Sequence, residues 1–263
     1  MSDVLHSIIA DKKKEVDYHK SVVPIIALEN ELKKYDKDTK SLADALQESK
    51  SGIIAEFKRR SPSKGWMNEN ANAKEIVPIY EKSGAAAISI LTDEKYFGGL
   101  LDDLKIGSSL VDAPVLRKDF IIDEYQIIQA RLYGASAILL IAAALTKDEV
   151  NRFTRFATDL GLDVLLELHD ESELDYIRPE HNIIGINNRN LGTFDTTIDK
   201  SYQMAKHLPS DAIWVAESGI SSPEAVVELR KIGYKGFLIG EHFMRENNPG
   251  EELMNFIEYI IKS

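Results

Sequence analysis

Ile54-Ala55-Glu56-Phe57-Lys58 is a short apolar run that ends in charge, and seven similar runs follow it. They are Ala87-Ile88-Ser89-Ile90-Leu91, Val115-Leu116-Arg117-Lys118-Asp119, Ala137-Ile138-Leu139-Leu140-Ile141 and Val164-Leu165-Leu166-Glu167. Ile183-Ile184-Gly185-Ile186-Asn187, Ile213-Trp214-Val215-Ala216-Glu217 and Phe237-Leu238-Ile239-Gly240 complete the set. The runs recur roughly every 20 to 35 residues, the length of one strand, one crossover helix and two loops. A near-continuous apolar strand is buried on both faces, as in parallel sheets. Eight such strands make an α/β fold of the (β/α)8 TIM-barrel class, in which chemistry sits at the strands' C-terminal ends. The polar residues that close the runs therefore mark the expected site.

Composition narrows the class further. The 263 residues suit one barrel, and no Pro/Gly/Ser-rich linker or charge block divides them. We expect a single domain over 1–263, with residues 1–50 as an N-terminal helical extension. At 44% hydrophobic residues the chain can bury a sizeable core, and no stretch reaches the roughly 20 apolar residues of a membrane span. The N-terminus carries no basic-then-apolar signal pattern. The absence of cysteine excludes disulfides and thiolate metal sites and fits a reducing compartment. A net charge of -11 argues against nucleic acid and anionic membrane as partners. The expectation is a soluble, acidic, cytoplasmic protein, a monomer, without nucleic-acid or membrane partners.

In the extension, Val4, Leu5, Ile8 and Ile9 form a helical apolar stripe ahead of a solvated run, Lys12-Lys13-Lys14. A second helix is expected over 41–51. The first helix could close the bottom of the barrel, cover its top, or simply seal the core. Between strands, Thr146-Lys147-Asp148-Glu149 reads as a capping box, and Asp123 and Asp170 as caps of further helices. Ser222-Pro223 and Asn248-Pro249 place proline at a first helical position. Gly84, Gly134, Gly161 and Gly233 stand where helices should stop.

Three groups of residues carry the functional signal. The loop Lys58-Arg59-Arg60-Ser61-Pro62-Ser63-Lys64-Gly65-Trp66 is basic, hydroxyl-bearing and glycine-hinged, either a lid over an anion or a solvated surface loop. Lys58, Lys118, Glu56 and Glu167 close different strands. At one mouth they could tune each other for proton transfer, or form a structural ion-pair network. Ser218-Gly219 and Gly240-Glu241 follow the seventh and eighth strands, where barrels often bind phosphate with main-chain N–H groups and a short helix. Glu241-His242-Phe243-Met244 fits that helix, although the glycines could also serve only tight turns. The six histidines show no ligand spacing, and there is no nucleotide fingerprint, so neither a metal nor another cofactor is expected. His169 stands two residues after Glu167 and could orient it, but a surface-loop histidine is the plainer reading.

Taken in order, five blocks make the chain resemble the indole-3-glycerol phosphate synthases, (β/α)8 enzymes of tryptophan biosynthesis. The first is Ile54-Ala55-Glu56-Phe57-Lys58 with Ser61-Pro62-Ser63-Lys64-Gly65, and the second Val115-Leu116-Arg117-Lys118-Asp119-Phe120-Ile121. Next come Gly185-Ile186-Asn187-Asn188-Arg189-Asn190-Leu191, Ala216-Glu217-Ser218-Gly219-Ile220 and Ile239-Gly240-Glu241. The N-terminal extension is also a trait of that family. Departures are small: Phe57, Arg59 and Arg60 flank the first block, Asn190 replaces the usual Asp, and Gly192 follows. None falls on a residue the family uses for chemistry.

The resemblance implies a phosphorylated small-molecule substrate, 1-(2-carboxyphenylamino)-1-deoxyribulose 5-phosphate, and lyase chemistry without a cofactor. It implies Lys118 as the general acid of ring closure, and Lys58 as the partner of the substrate carboxylate and an aid in dehydration. Glu167 is implied as the general base, Glu56 and Asn187 as positioning groups, and Glu217 as a ligand of the ribulose hydroxyls. The phosphate end falls to Ser61, Arg189, Ser218, Gly219, Gly240 and Glu241, and the apolar wall to Phe97, Phe120 and Leu139. Two other barrel chemistries are alternatives. A Schiff-base aldolase would use Lys118 or Lys58 as nucleophile, and a phosphoribosyl isomerase would need only one acid–base pair. A non-catalytic sugar-phosphate binder would bind the substrate without releasing carbon dioxide.

Overall fold

The computed structural model describes residues 3–190 and 192–263. Met1, Ser2 and Leu191, the last residue of the third family block, lie outside them. The eight apolar runs are strands: β1 (Ile53–Phe57), β2 (Ala87–Leu91), β3 (Val115–Lys118) and β4 (Ala137–Ile141), then β5 (Asp163–Leu168), β6 (Ile183–Asn187), β7 (Ile213–Glu217) and β8 (Gly236–Ile239). All pair in parallel, each with its sequence neighbours, and β1 closes onto β8 through Ile53↔Phe237, Ile54↔Leu238 and Ala55↔Ile239. The barrel expectation therefore stands, with closure supplied by a pairing between residues more than 180 positions apart.

Side-chain alternation divides the strands between two apolar cores. Ile54, Leu116, Leu139, Leu165, Val215 and Leu238 fill the barrel interior. Their neighbours Ile53, Ala55, Ile88, Ile138, Leu166 and Ile184 face the surrounding helices. Each large aliphatic side chain moved out of water contributes roughly 1.5–3 kcal/mol.

Three helices precede β1: α1 (Asp3–Val22), α2 (Ile25–Leu32) and α3 (Leu42–Glu48). The expected helix over 41–51 is shorter, because Ser41 is its cap, accepting from Asp44 N, and the chain turns extended at Ser49. Helix α2 was not foreseen; its single buried residue, Leu28, packs with Val16 and Tyr125 in a small separate cluster. Of the alternatives offered for the first helix, α1 covers the top, and the bottom is met instead by the start of α3. At the bottom, Ala43 N and Ser41 Oγ donate to Asp163 at the start of β5, at 3.0 and 3.1 Å. At the top, Leu5 and Ile8 of α1 are buried against the interior cluster.

The lysine run of α1 needs correction. Lys13 and Lys14 are exposed, but Lys12 is 1% exposed, with Asp93, Asp119 and Glu15 each at 2.9 Å. Arg117 reaches the other oxygen of Asp119 at 2.9 Å and the hydroxyl of Thr92 at 3.1 Å. Burial alone would push the Asp119 carboxyl up, but Lys12 and Arg117 hold it near about 2. A lysine on a polar helical stripe reads as solvated because two of its three carboxylate partners, Asp93 and Asp119, lie more than 80 residues away.

The outer helices start where their caps predicted. Thr146 and Glu149 form the capping box of α8 (Lys147–Asp159), and Asp123 accepts from Tyr125 N at the start of α7 (Glu124–Leu132). Ser222 and Asn248 cap α10 (Pro223–Lys231) and α12 (Pro249–Lys262). The exception follows β5. Asp170 caps, through Ser172 N, a 3-10 segment over Glu171–Tyr176 instead of an α-helix. The Glu173 carboxylate there turns back to accept from His169 N at 2.6 Å, and Pro179 lies just beyond the segment. The remaining elements are α4 (Ala73–Lys82), α5 (Glu94–Phe97), α6 (Leu101–Ser108), α9 (Asp199–Met204) and α11 (Glu241–Met244). No helix among the described residues is long and apolar enough to cross a membrane.

Candidate active site

A cavity of about 1110 Å³, counting its open mouth, lies at the C-terminal ends of the strands. All fifteen residues singled out from the sequence line it. Glu56, Lys118, Glu167, Asn187 and Glu217 come from the ends of β1, β3, β5, β6 and β7, and Lys58 sits just past β1. One strand-end residue from each of five strands is thus turned inward by the same alternation that fills the interior below.

Lys118 stands at the centre. Its Nζ donates to Glu167 Oε2 at 2.8 Å and to Glu217 Oε2 at 2.9 Å. Lys58 Nζ lies 2.5 Å from Glu56 Oε1. Burial opposes the charge on Lys118, but Glu167, Glu217 and Glu56 outweigh it and push its pKa up, so the amine stays an ammonium.

The two carboxylates on Lys118 are not equivalent. Burial pushes Glu167 up, but Lys118 and His169 together pull it well below the ordinary range. Burial also pushes Glu217 up, and there Lys118 is opposed by the like charge of Glu167, so the net shift is upward. At neutral pH Glu167 is the carboxylate, and Glu217 is the one that more readily carries a proton.

Two glycines make room for this cluster. A Cβ on Gly185 would lie 2.2 Å from Glu217 Oε1, and one on Gly240 would lie 2.5 Å from Glu56 Oε1. Both sites would have to rearrange to accept alanine.

His169 is not a surface-loop residue. It is 8% exposed, with Nε2 3.2 Å from Glu167 Oε1 and Nδ1 3.7 Å from Glu173 Oε2. Burial disfavours its charge, yet the two carboxylates raise its pKa to about 9.

At one end of the cavity the backbone turns sharply. Ser218 and Gly219 have φ of 64° and 74° in succession. A non-glycine residue in this region is uncommon and strained, the more notable here because it lies at the mouth of a site. Asn188 Nδ2 holds the turn by donating to Ser218 O at 3.1 Å. Nearby, Arg189 Nη1 donates to Ser63 Oγ at 2.5 Å, and its Nη2 lies 3.4 Å from Glu241 Oε2. The β1 loop is thereby tied to the loop after β6. Glu241 opens the short helix α11, as its sequence suggested.

The other end is apolar. The Phe97 and Phe120 rings pack with centroids 6.1 Å apart, beside Leu139. Val4, Leu5 and Ile8 of α1 complete this wall. Their stripe is visible in the sequence, but its place in the site comes only from the fold. Ser63, from the basic loop after β1, and Phe194 also line the cavity, and nothing in their local sequence sets either apart. Among the described residues there is no cluster of three or more His, Asp or Glu arranged to hold a metal ion.

The model of the family "Indole-3-glycerol phosphate synthase" matches residues 5–256. The chain belongs to this family. A relative of that name from Bacteroides thetaiotaomicron is 53% identical over 260 residues, covering 99% of this chain and 100% of the relative. Another, from Laribacter hongkongensis, is 42% identical over 259 residues, covering 96% and 98%. Among solved structures the chain is similar to tryptophan synthase subunit alpha from Legionella pneumophila, with TM-score 0.60 and 13% identity, covering 85% of this chain and 98% of that one. It is also similar to thiamine phosphate pyrophosphorylase from Pyrococcus furiosus, with TM-score 0.60 and 15% identity, covering 81% and 96%. At such identities these two likenesses concern the barrel alone.

Proposed function

We propose that the chain closes an indole ring. It converts 1-(2-carboxyphenylamino)-1-deoxyribulose 5-phosphate into indole-3-glycerol phosphate, carbon dioxide and water, a step of tryptophan biosynthesis. The observation that carries this reading is the Lys118 ammonium held between Glu167 and Glu217, with an apolar wall on one side and the Ser218-Gly219 turn on the other.

The substrate has one group for each part of this cavity. Its anthranilate ring faces Phe97, Phe120, Leu139 and α1. Its phosphate meets Ser61, Arg189, Ser218 and the main chain of Gly219, Gly240 and Glu241, since main-chain N–H groups there stabilise an anion. Lys58 takes the ring carboxylate, and Glu56 holds Lys58 in place.

Ring closure forms a bond from the ring carbon bearing the carboxylate to the ketone carbon. Lys118 gives a proton to the ketone oxygen as that bond forms. The bond to the carboxylate then breaks, and its electrons return to the ring as carbon dioxide leaves. Dehydration follows: Glu167 takes a proton, and the hydroxyl departs as water with help from Lys58. Asn187 positions groups at the reacting centre, and Glu217 holds the ribulose hydroxyls.

The raised pKa of Lys118 and the pairing of Lys58 with Glu56 disfavour the aldolase alternative, because a Schiff-base lysine must be a free amine. Borohydride with substrate should therefore leave no adduct. The same reading takes 1–263 as one domain, a monomer acting in the cytoplasm without nucleic-acid or membrane partners. The deciding experiment is incubation with the carboxyphenylamino substrate while following indole fluorescence. A folded protein that binds the substrate and yields no indole would be a sugar-phosphate binder instead.

A further inference from the structure

Glu167 and Glu217 both touch Lys118, yet only Glu167 has a second cation among the described residues. Its Oε2 takes Lys118 at 2.8 Å, and its Oε1 faces His169 Nε2 at 3.2 Å. The two oxygens are thus divided between two cations, a lysine that donates a hydrogen bond and a histidine in ion-pair contact. His169 is itself held from behind. Glu173 Oε2 accepts the His169 backbone N–H at 2.6 Å and lies 3.7 Å from its Nδ1. Glu173 can reach back because the segment after β5 is a 3-10 turn, with Asp170 as its cap.

We propose that His169, backed by Glu173, is a positioning residue: it fixes the Glu167 carboxylate with one oxygen aimed at the reacting centre. This inference rests on Glu167 being the general base of the dehydration. A carboxylate anchored by Lys118 alone would be free to turn about that single contact, and Lys118 must itself part with a proton during ring closure. His169 keeps Glu167 oriented through that step. The pKa of about 9 means that the histidine is charged throughout the neutral range. The other charges that bear on this pair are Lys118 of β3, Glu217 of β7, Glu173 of the 3-10 segment and Lys200 of α9, which feels Asp170, Glu173 and Glu167.

The test uses His169→Gln, Glu173→Gln and Glu167→Gln in the full chain, with the double variant His169→Gln/Glu167→Gln. His169→Gln should lower kcat roughly 10- to 100-fold, the loss usual when an orienting partner is removed from a ligand, with KM nearly unchanged. Its acidic pH limb should move upward, because Glu167 loses a cation. Glu173→Gln should show the same direction with a smaller loss. In the Glu167→Gln background His169→Gln should cost almost nothing more, since the two act through one group. Equal losses from His169→Gln in both backgrounds, or an unmoved pH limb, would overturn the proposal. If Glu167→Gln itself keeps full turnover, the assignment of the base fails instead. Should His169→Gln not fold, Glu173→Gln decides, and an unchanged kcat and pH limb in that variant would refute the relay.

Discussion

Replacing Lys118 with alanine removes one positive charge from between two buried carboxylates. The side chains of Glu167 and Glu217 are 3% and 1% exposed, against 12% for Lys118, so solvent cannot take the place of the lost partner. Breaking a buried ion pair in this way costs about 3–5 kcal/mol. At about 2–4 °C per kcal/mol for a chain of this size, the melting temperature should fall roughly 6–20 °C at pH 8. The loss depends on pH with a definite sign. In the parent, Glu167 lies below its unfolded value and adds stability above about pH 4.3, whereas Glu217, raised to about 8, takes stability away as the pH climbs from about 4.3 to 8. Without Lys118, no cation among the described residues faces Glu217 and only His169 faces Glu167, so both carboxyls move up from where they stand in the parent. The variant then loses more stability than the parent as the pH rises from about 4.3, so its gap to the parent should be narrower at pH 5 than at pH 8. Turnover should fall about 10²–10⁴-fold, as expected when a general acid is lost, while substrate binding is mostly kept. Urea denaturation at the two pH values and indole fluorescence measure the two effects. A variant within a factor of a few of the parent in turnover would remove Lys118 from the acid role. A stability gap that is the same at both pH values would refute the charge argument.

Gly219→Val would place its Cβ 2.5 Å from Thr196 Cγ2 at a φ of 74°, closing the turn assigned to phosphate. Affinity for inorganic phosphate should drop about tenfold or more, near 1.4 kcal/mol, with the fold kept; unchanged affinity by calorimetry moves the phosphate site elsewhere. Glu167→Gln should lose turnover while still binding substrate, and could release carbon dioxide faster than it forms indole. Glu217→Gln, which resembles the protonated form that its environment favours, should mainly weaken binding. If steady-state kinetics show the greater kcat loss for Glu217→Gln, the two roles are reversed. Lys12→Ala strands Asp93 and Asp119 and should destabilise the protein by about 3–5 kcal/mol; a melting curve matching the parent's would mean that the network contributes nothing. Exhaustive dialysis against EDTA should leave activity intact, because the chain has no cysteine and no paired-histidine spacing. Activity lost and then restored by a divalent ion would contradict this.

Local chemistry determined what the sequence alone could decide. Strand runs, caps such as Thr146 with Glu149, and helix-stopping glycines all act within a few residues of themselves. They therefore read correctly without any knowledge of the closed barrel. The polar ends of the runs also marked the site, because strand alternation and the barrel's C-terminal face are properties of the fold class. What tertiary structure decided were the pairings across the closed barrel. Lys118 meets Glu167 from 49 residues away and Glu217 from 99, and these contacts exist only once β3, β5 and β7 curve around one axis. The same closure hides Lys12 among carboxylates, lays the α1 stripe over the apolar wall, and makes room for Glu217 at Gly185. His169 shows the limit most plainly. In sequence it is a polar residue just past a strand, as loop residues usually are. Its burial comes from neighbours, and so does the partner on each side of its ring, because a charge's environment is set by distance in space and not by distance along the chain.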